Sequence, residues 1–269
     1  MAEPKRPMDG PKERVFGSPT RHSHPPKPAG WGKNQTPKPT VRHLHPSNPW
    51  GYRSKPNTKP ENRMPKPFQF NASNVTIEKR ETVFQGFFRM DKLWLTHPRF
   101  DGRDMPTFTR ELFIRGDATC VLPYDPERDE VVLLEQFRLG ALGRGQSPWL
   151  LELVAGMNED GESPEDVAQR EGQEEAGLTF SRLDKICDYL VSPGGTTEMI
   201  HLYCGQISTA QAGGVFGVEH EHEDILSHVV SADECIAMIA DGRINNAAAI
   251  IAIQWLQLNR ERLRREWLA

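Results

Sequence analysis

The stretch "ESPEDVAQREGQEEAGL", residues 162–178, decides how the rest of the chain is read. Its ends are sharp. Ser163 is a good helix N-cap, Pro164 suits the first helical position, and Asp166 stands three residues after the cap. Gly177 suits the left-handed residue that follows a helix. The pattern predicts a helix over residues 164–176. At about 100° per residue, Val167, Ala168, Gly172 and Ala176 share one broad face, with Glu171 and Glu175 in its middle. Gln169 and Gln173 are expected opposite, and Arg170 off the seam. A core-facing stripe normally carries Leu or Val. Like charges this close on a helix repel by roughly 0.2–0.5 kcal/mol per pair, and an unpaired buried carboxylate is far costlier. Two readings follow: a solvated acidic helix, or carboxylates turned inward to grip a divalent cation. An all-oxygen cluster suits Mg²⁺ or Mn²⁺ rather than zinc. Gly172 in mid-helix costs about 1 kcal/mol relative to Ala, which suggests close backbone approach.

Around this helix the pattern alternates. Residues 75–96, "VTIEKRETVFQGFFRMDKLWLT", are strand-like. In "DATCVLPYDPERDEVVLLEQFRL" the turn DPERD separates two apolar runs and predicts a hairpin of residues 118–123 with 131–137. "WLLELVAG" reads as one short apolar run. "LDKICDYLVSPGGTTEMIHLYCGQI" gives two strands about a Pro-Gly-Gly turn. Ser231 with Glu234 three residues on is a capping-box signature, and "NNAAAIIAIQWLQLNRERLRREWL" predicts a long helix. Strands before, between and after the helices predict an α/β sandwich with a mixed sheet.

Residues 1–67 hold 15 of the 22 prolines and 14 Lys/Arg against 4 Asp/Glu, a net charge of +10. The whole chain carries −4, so the remainder carries −14. An acidic body is unlike a nucleic-acid-binding domain and fits a protein that concentrates divalent cations. The tail has no helical or strand period, and so many prolines with few branched aliphatics predict disorder with polyproline-like stretches. "HSH" and "HLH" within it read as histidines of a polar tail or, loosely, as transition-metal ligands. Met64 is a candidate start of the native chain. The N-terminus lacks the apolar core of a secretory signal, and no apolar run of about 18 residues argues for a membrane span. The four scattered cysteines lack CxxC spacing, which points to reduced core thiols. A cytoplasmic protein with neither nucleic-acid nor membrane partner is expected.

Residues 156–178, "GMNEDGESPEDVAQREGQEEAGL", resemble the Nudix box at Gly156, Glu162, Arg170, Glu171, Glu174, Glu175, Gly177 and Leu178. Gly172 departs, where that family usually carries Ala or a bulkier apolar residue. With "RGDATCVLPYDPERDEVVLLEQFRLG", "PWLLELVAGM", "SPGGTTE" and "NNAAAIIAIQWLQL", the chain from about residue 75 onward is similar to the ADP-ribose pyrophosphatase branch of the Nudix hydrolases. That branch also includes hydrolases of GDP-mannose and other nucleoside diphosphate sugars.

The resemblance implies a Nudix α/β/α sandwich in residues 114–269 and a β-rich segment in residues 68–113 exchanged across a homodimer. It leaves the tail, 1–67, uncovered. It implies Mg²⁺-dependent hydrolysis, with Mn²⁺ as a substitute. The metal ligands would be Glu171, Glu174, Glu175, Glu223 and the carbonyl of Ala155. Glu221, in "VEHEHEDI", would take the proton from water, making Glu221, Glu171 and Glu175 the catalytic set. Glu162 would orient Arg170. Arg110 and Arg138 would touch the pyrophosphate or a ribose, Glu198 the terminal ribose, and Met157 would line the substrate. Taken alone, the acidic loop reads as solvated surface and Arg138 as a strand-end arginine paired locally. The implied reaction converts ADP-ribose to AMP and ribose 5-phosphate. The alternatives are a GDP-mannose or other nucleotide-sugar hydrolase, a non-catalytic module that senses ADP-ribose, and a scaffold acting through the tail. A pure sensor would have no need of the three box glutamates.

Overall fold

The computed structural model describes residues 69–145 and 147–269. The tail, its two histidine pairs and Met64 lie outside the described residues. First come three antiparallel strands, β1 (Thr76–Gln85), β2 (Arg89–Thr96) and β3 (Phe108–Ile114), in that order across the sheet. Their Thr, Val, Phe and Trp residues suit a pleated, half-covered surface. The carboxylate of Asp91 is buried in β2 and pairs with Arg80 of β1 and with Arg89. Every position of β1 is exposed.

A mixed sheet of eight strands follows. Its path runs β10-β11-β5-β4-β9-β8. The strands are β4 (Ala118–Asp125), β5 (Glu130–Phe137), β8 (Arg182–Leu190), β9 (Met199–Gln206), β10 (Gly214–Phe216) and β11 (Ile225–Ser231). The pair β4–β9 is parallel. The expected hairpin forms only at its base, where Tyr124 faces Val131 and Asp125 faces Glu130. Beyond that point the two strands part. The run "WLLELVAG" is not one strand but two. It divides at Leu153 into β6 (Trp149–Glu152), paired with β5, and β7 (Val154–Met157), paired with β4. An apolar run gives no sign of a change of partner, because the open strand edges are set elsewhere in the chain.

Helix α1 (Pro164–Ala176) covers one face, where Val121, Val132, Leu134 and Val154 form a core with Ala168 and Ala176. Helices α2 (Ala232–Ala240) and α3 (Ala247–Trp267) cover the other, over Leu122, Leu133 and Leu202. Each such aliphatic side chain, fully buried, stabilises by about 1.5–3 kcal/mol before entropy is counted. The α/β sandwich expected from the sequence is the fold observed. At α2 the cap forms, with Glu234 N–H donating to Ser231 Oγ at 3.2 Å, while the Glu234 carboxylate turns to Arg243 at 3.4 Å. Asn246 caps α3 and donates from Nδ2 to the Leu151 carbonyl at 2.7 Å, tying that helix to β6. The cysteines are unpaired, and Cys120, Cys204 and Cys235 are buried. Among the described residues no helix is long and apolar enough to cross a membrane.

Candidate active site

Helix α1 has the ends its sequence sets. Ser163 Oγ accepts from Asp166 N–H, and the Asp166 carboxylate accepts from Ser163 N–H, each at 3.2 Å. Gly177 turns left-handed at φ 63°. A Cβ on Gly172 would stand 2.6 Å from Cε2 of Phe180 and 3.2 Å from the Leu178 carbonyl oxygen, so the glycine admits the returning chain. Gln169 is not on an outer face as expected. Its amide clasps the Phe180 backbone, donating to the carbonyl at 2.8 Å and accepting from N–H at 3.1 Å, because the chain beyond Gly177 folds back along that side.

Glu171 and Glu175 are turned inward. Glu175 is 1% exposed, and its Oε2 accepts from the Ala155 N–H at 2.8 Å. Ala155 faces Cys120 of β4, but its N–H turns away from that strand. A strand residue's N–H and C=O leave on the same edge, so the Ala155 carbonyl, like its N–H, turns away from β4. The Glu171 carboxyl lies across Gly156, where a Cβ would come 1.6 Å from Oε1. Arg170 was expected off the seam but swings in, because carboxylates lie within reach of its guanidinium fork on several sides. It lies 2.6 Å from Glu171 Oε1, 3.4 Å from Glu174 Oε2 and 3.0 Å from Glu162 Oε2, and donates to the Met157 carbonyl at 3.3 Å.

This packing shapes the electrostatics. Burial pushes Glu175 up to about 8; the Ala155 amide offsets part of that, and Glu171 and Glu223 add to it. Burial pushes Glu171 up to about 7 against the pull of Arg170. Hydrogen bonds from Arg170 hold Glu162 below the ordinary range. Among the described residues no three His, Cys, Asp or Glu side chains stand grouped as a finished metal cage. The donor set still fits a hard divalent cation: oxygen throughout, a buried carboxylate beside a partly buried one, and a glycine leaving room for the latter.

The acidic loop is tied to α1 by Gly217 N–H, which donates to the Glu174 carbonyl at 3.3 Å. Glu223 Oε2 accepts from Val218 N–H at 3.3 Å, and its charge is felt by Glu171 and Glu175. Glu221 is not gathered with them. Its side chain is 60% exposed, with His220 at 3.7 Å. Arg138 pairs with Glu152 at 2.6 Å, the local pairing a strand-end arginine favours, and its charge also reaches Glu175. Arg110 stands on β3, over the Phe108 ring at 4.6 Å. Glu198 pairs with Arg115 at 3.2 Å. Met157 lines a cavity of about 400 Å³ with Phe87, Phe88 and Arg115.

Two of these partners were missed in the sequence. Glu152 had a signal, a lone charge inside an apolar run, placed opposite Leu134 on the α1 face. Arg115 had none, since its partner comes from the turn before β9, far along the chain.

Residues 114–252 match the NUDIX domain family. An ADP-ribose pyrophosphatase from Escherichia coli is 46% identical over 201 residues, spanning 75% of this chain and 96% of that protein. One from Haemophilus influenzae is 43% identical over 201 residues, spanning 74% and 93%. A GDP-mannose pyrophosphatase from Klebsiella pneumoniae is 31% identical over 188 residues, spanning 68% and 92%. The crystal structure of an ADP compounds hydrolase superposes with a TM-score of 0.54 at 20% identity, over 68% of this chain and 95% of that one, a likeness of fold alone. A domain match across half the chain, relatives alike over nearly their whole length, and box carboxylates packed on β7 lead to one assignment: the chain belongs to the Nudix family of hydrolases.

Proposed function

We propose that the chain hydrolyses the pyrophosphate bond of ADP-ribose to AMP and ribose 5-phosphate, with Mg²⁺ as its cation and Mn²⁺ as a substitute. The observation that carries the reading is the inward pair Glu171 and Glu175, pressed against Gly156 and Ala155. The choice of substrate is supported by the ADP-ribose pyrophosphatases at 46% and 43% identity, set against 31% for the GDP-mannose enzyme.

Glu171, Glu174, Glu175, Glu223 and the Ala155 carbonyl are the groups that would hold the cation. Bound there, it would neutralise the diphosphate and lower the pKa of the attacking water. Arg170 keeps Glu162 and the Met157 carbonyl as partners while the Glu171 oxygens are engaged. Glu221, on its exposed turn, takes the proton from water as the loop approaches bound substrate. Arg138 and Arg110 meet the diphosphate or ribose, Glu198 accepts from hydroxyls of the terminal ribose, and Met157 borders it. Phosphoryl transfer is mostly positioning and charge stabilisation, so no protein nucleophile is required.

The position of Arg110 on the three-stranded sheet supports a homodimer in which residues 68–113 reach across to the hydrolase domain, 114–269, of a second copy. Unpaired thiols favour the cytoplasm. A panel of ADP-ribose, GDP-mannose and other nucleoside diphosphate sugars with Mg²⁺, read as nucleoside monophosphate release, tests the function. AMP from ADP-ribose should appear fastest. Release from none would overturn the proposal, and a preference for GDP-mannose would select the second reading.

A further inference from the structure

Gln136 stands on β5 between Leu134 and Arg138. Side chains alternate along a strand, so Gln136 shares the face on which Leu134 and Ile225 join the core beneath α1. It is 5% exposed, and its Nε2 is a buried donor with no acceptor among the described residues. A buried donor left unsatisfied costs about 1–3 kcal/mol, which an apolar side chain of the same shape would avoid. Charged groups flank it. On one edge of β5, Glu152 faces Leu134 and pairs with Arg138 at 2.6 Å. On the other edge runs β11, where Leu226 faces Glu135. Ile225 comes next toward Gln136, and Glu223 stands two residues before Ile225.

Glu223 is an acceptor short of donors. Glu175 accepts from the Ala155 N–H at 2.8 Å, and Glu171 from Arg170 at 2.6 Å. Among the described residues the Glu223 carboxylate accepts only from Val218 N–H of its own loop, at 3.3 Å. The backbone beside it is well anchored. A Cβ on Gly217 would come 2.9 Å from the Glu223 Cβ, and Gly217 N–H donates to the Glu174 carbonyl at 3.3 Å. The charges of Glu223 and Arg138 both reach the Glu175 carboxyl, so the end of β5 and the acidic loop border one cluster. A carboxylate that binds a metal is ordinarily oriented by a further hydrogen bond. Gln136 is the buried, uncommitted donor on that face.

We propose that Gln136 is the positioning residue for Glu223, its Nε2 donating to one oxygen of that carboxylate and leaving the other for the cation. The inference rests on the cation reading above and adds to it the residue that orients the loop ligand. The test is a double-mutant cycle of Gln136→Met and Glu223→Ala in the full-length chain. Two readouts are taken without substrate: Mn²⁺ binding by electron paramagnetic resonance, and Tm in EDTA. Gln136→Met should weaken the Mn²⁺ Kd about tenfold or more. Its Tm in EDTA should hold or rise, because Met removes a buried unpaired donor at similar volume. In the Glu223→Ala background Gln136→Met should add nothing. Gln136→Leu carries the cycle if the Met variant does not fold. Ser227→Ala is the control. Its buried Oγ also lacks a partner among the described residues, but Ser227 faces Leu134, farther from the loop, and its loss should leave Mn²⁺ binding unchanged. An unchanged Kd in Gln136→Met, losses that add to those of Glu223→Ala, an equal loss in Ser227→Ala, or a loss matched by a fall in Tm would each overturn the inference while leaving the cation reading intact. A wild-type chain that binds no Mn²⁺ would overturn that reading and the inference with it.

Discussion

At the scale of single residues, Glu175 is the most exposed to test because it is the most buried. Its carboxyl accepts one backbone hydrogen bond, which a glutamine carboxamide can also accept. Glu175→Gln should therefore leave the circular dichroism spectrum and fold intact while lowering turnover by about 10²–10⁴-fold, the scale of losing a group that acts directly in the reaction. Full turnover in a folded variant would sink the ligand assignment. Proton linkage gives a second test. In the cation-free protein the values of about 7 and about 8 for Glu171 and Glu175 lie above the ordinary 4.5, so the folded chain prefers their protonated forms. Their contribution to stability is whole below the ordinary value and is lost as the pH rises through the folded values. In EDTA, Tm should be lower at about pH 9 than at about pH 6, and the gain in Tm on adding Mg²⁺ should be larger at the higher pH, where no proton has to leave. A gain in Tm on adding Mg²⁺ that is the same at both pH values would separate these two carboxyls from the cation.

At the scale of elements, α1 shows where a sequence speaks and where it stops. Its ends and its inward carboxylates were legible because caps and faces depend on neighbours within a few residues. Arg170 and Gln169 were misplaced because their partners, the Met157 carbonyl and the Phe180 backbone, are offered by β7 and by the chain after Gly177. The same limit hid the Arg138–Glu152 pair, which needs the β5–β6 register, and the division of "WLLELVAG" into two strands. The distance between Glu221 and the other carboxylates follows from a loop whose path no spacing rule gives. Gly172 converts this limit into a prediction. Replacing it with Ala gains about 1 kcal/mol in helix propensity, but the new methyl meets Phe180 and the Leu178 carbonyl, and overpacking costs typically about 1–3 kcal/mol. Gly172→Ala should lower the urea midpoint; a raised midpoint would mean that the Phe180 ring yields freely.

At the scale of the whole molecule, the three-stranded sheet leaves much apolar surface bare. Phe84 is 63% exposed and Phe87 85%, with Ile77 and Val83 also exposed along β1. A sheet left in this state invites pairing with another chain. Light scattering should give twice the 30.5 kDa chain mass, and a clean monomer would count against the exchanged segment. The larger sheet carries a different consequence, which begins where β4 and β5 separate. An amide that would otherwise be locked in a ladder instead leans on the Glu175 carboxyl at Ala155. In isotope-labelled protein, the nitrogen–proton resonance of Ala155 becomes a spectroscopic gauge of that carboxyl. It should shift as the proton departs and again if an ion arrives, so one backbone signal can follow the state of the carboxylate cluster without any turnover at all.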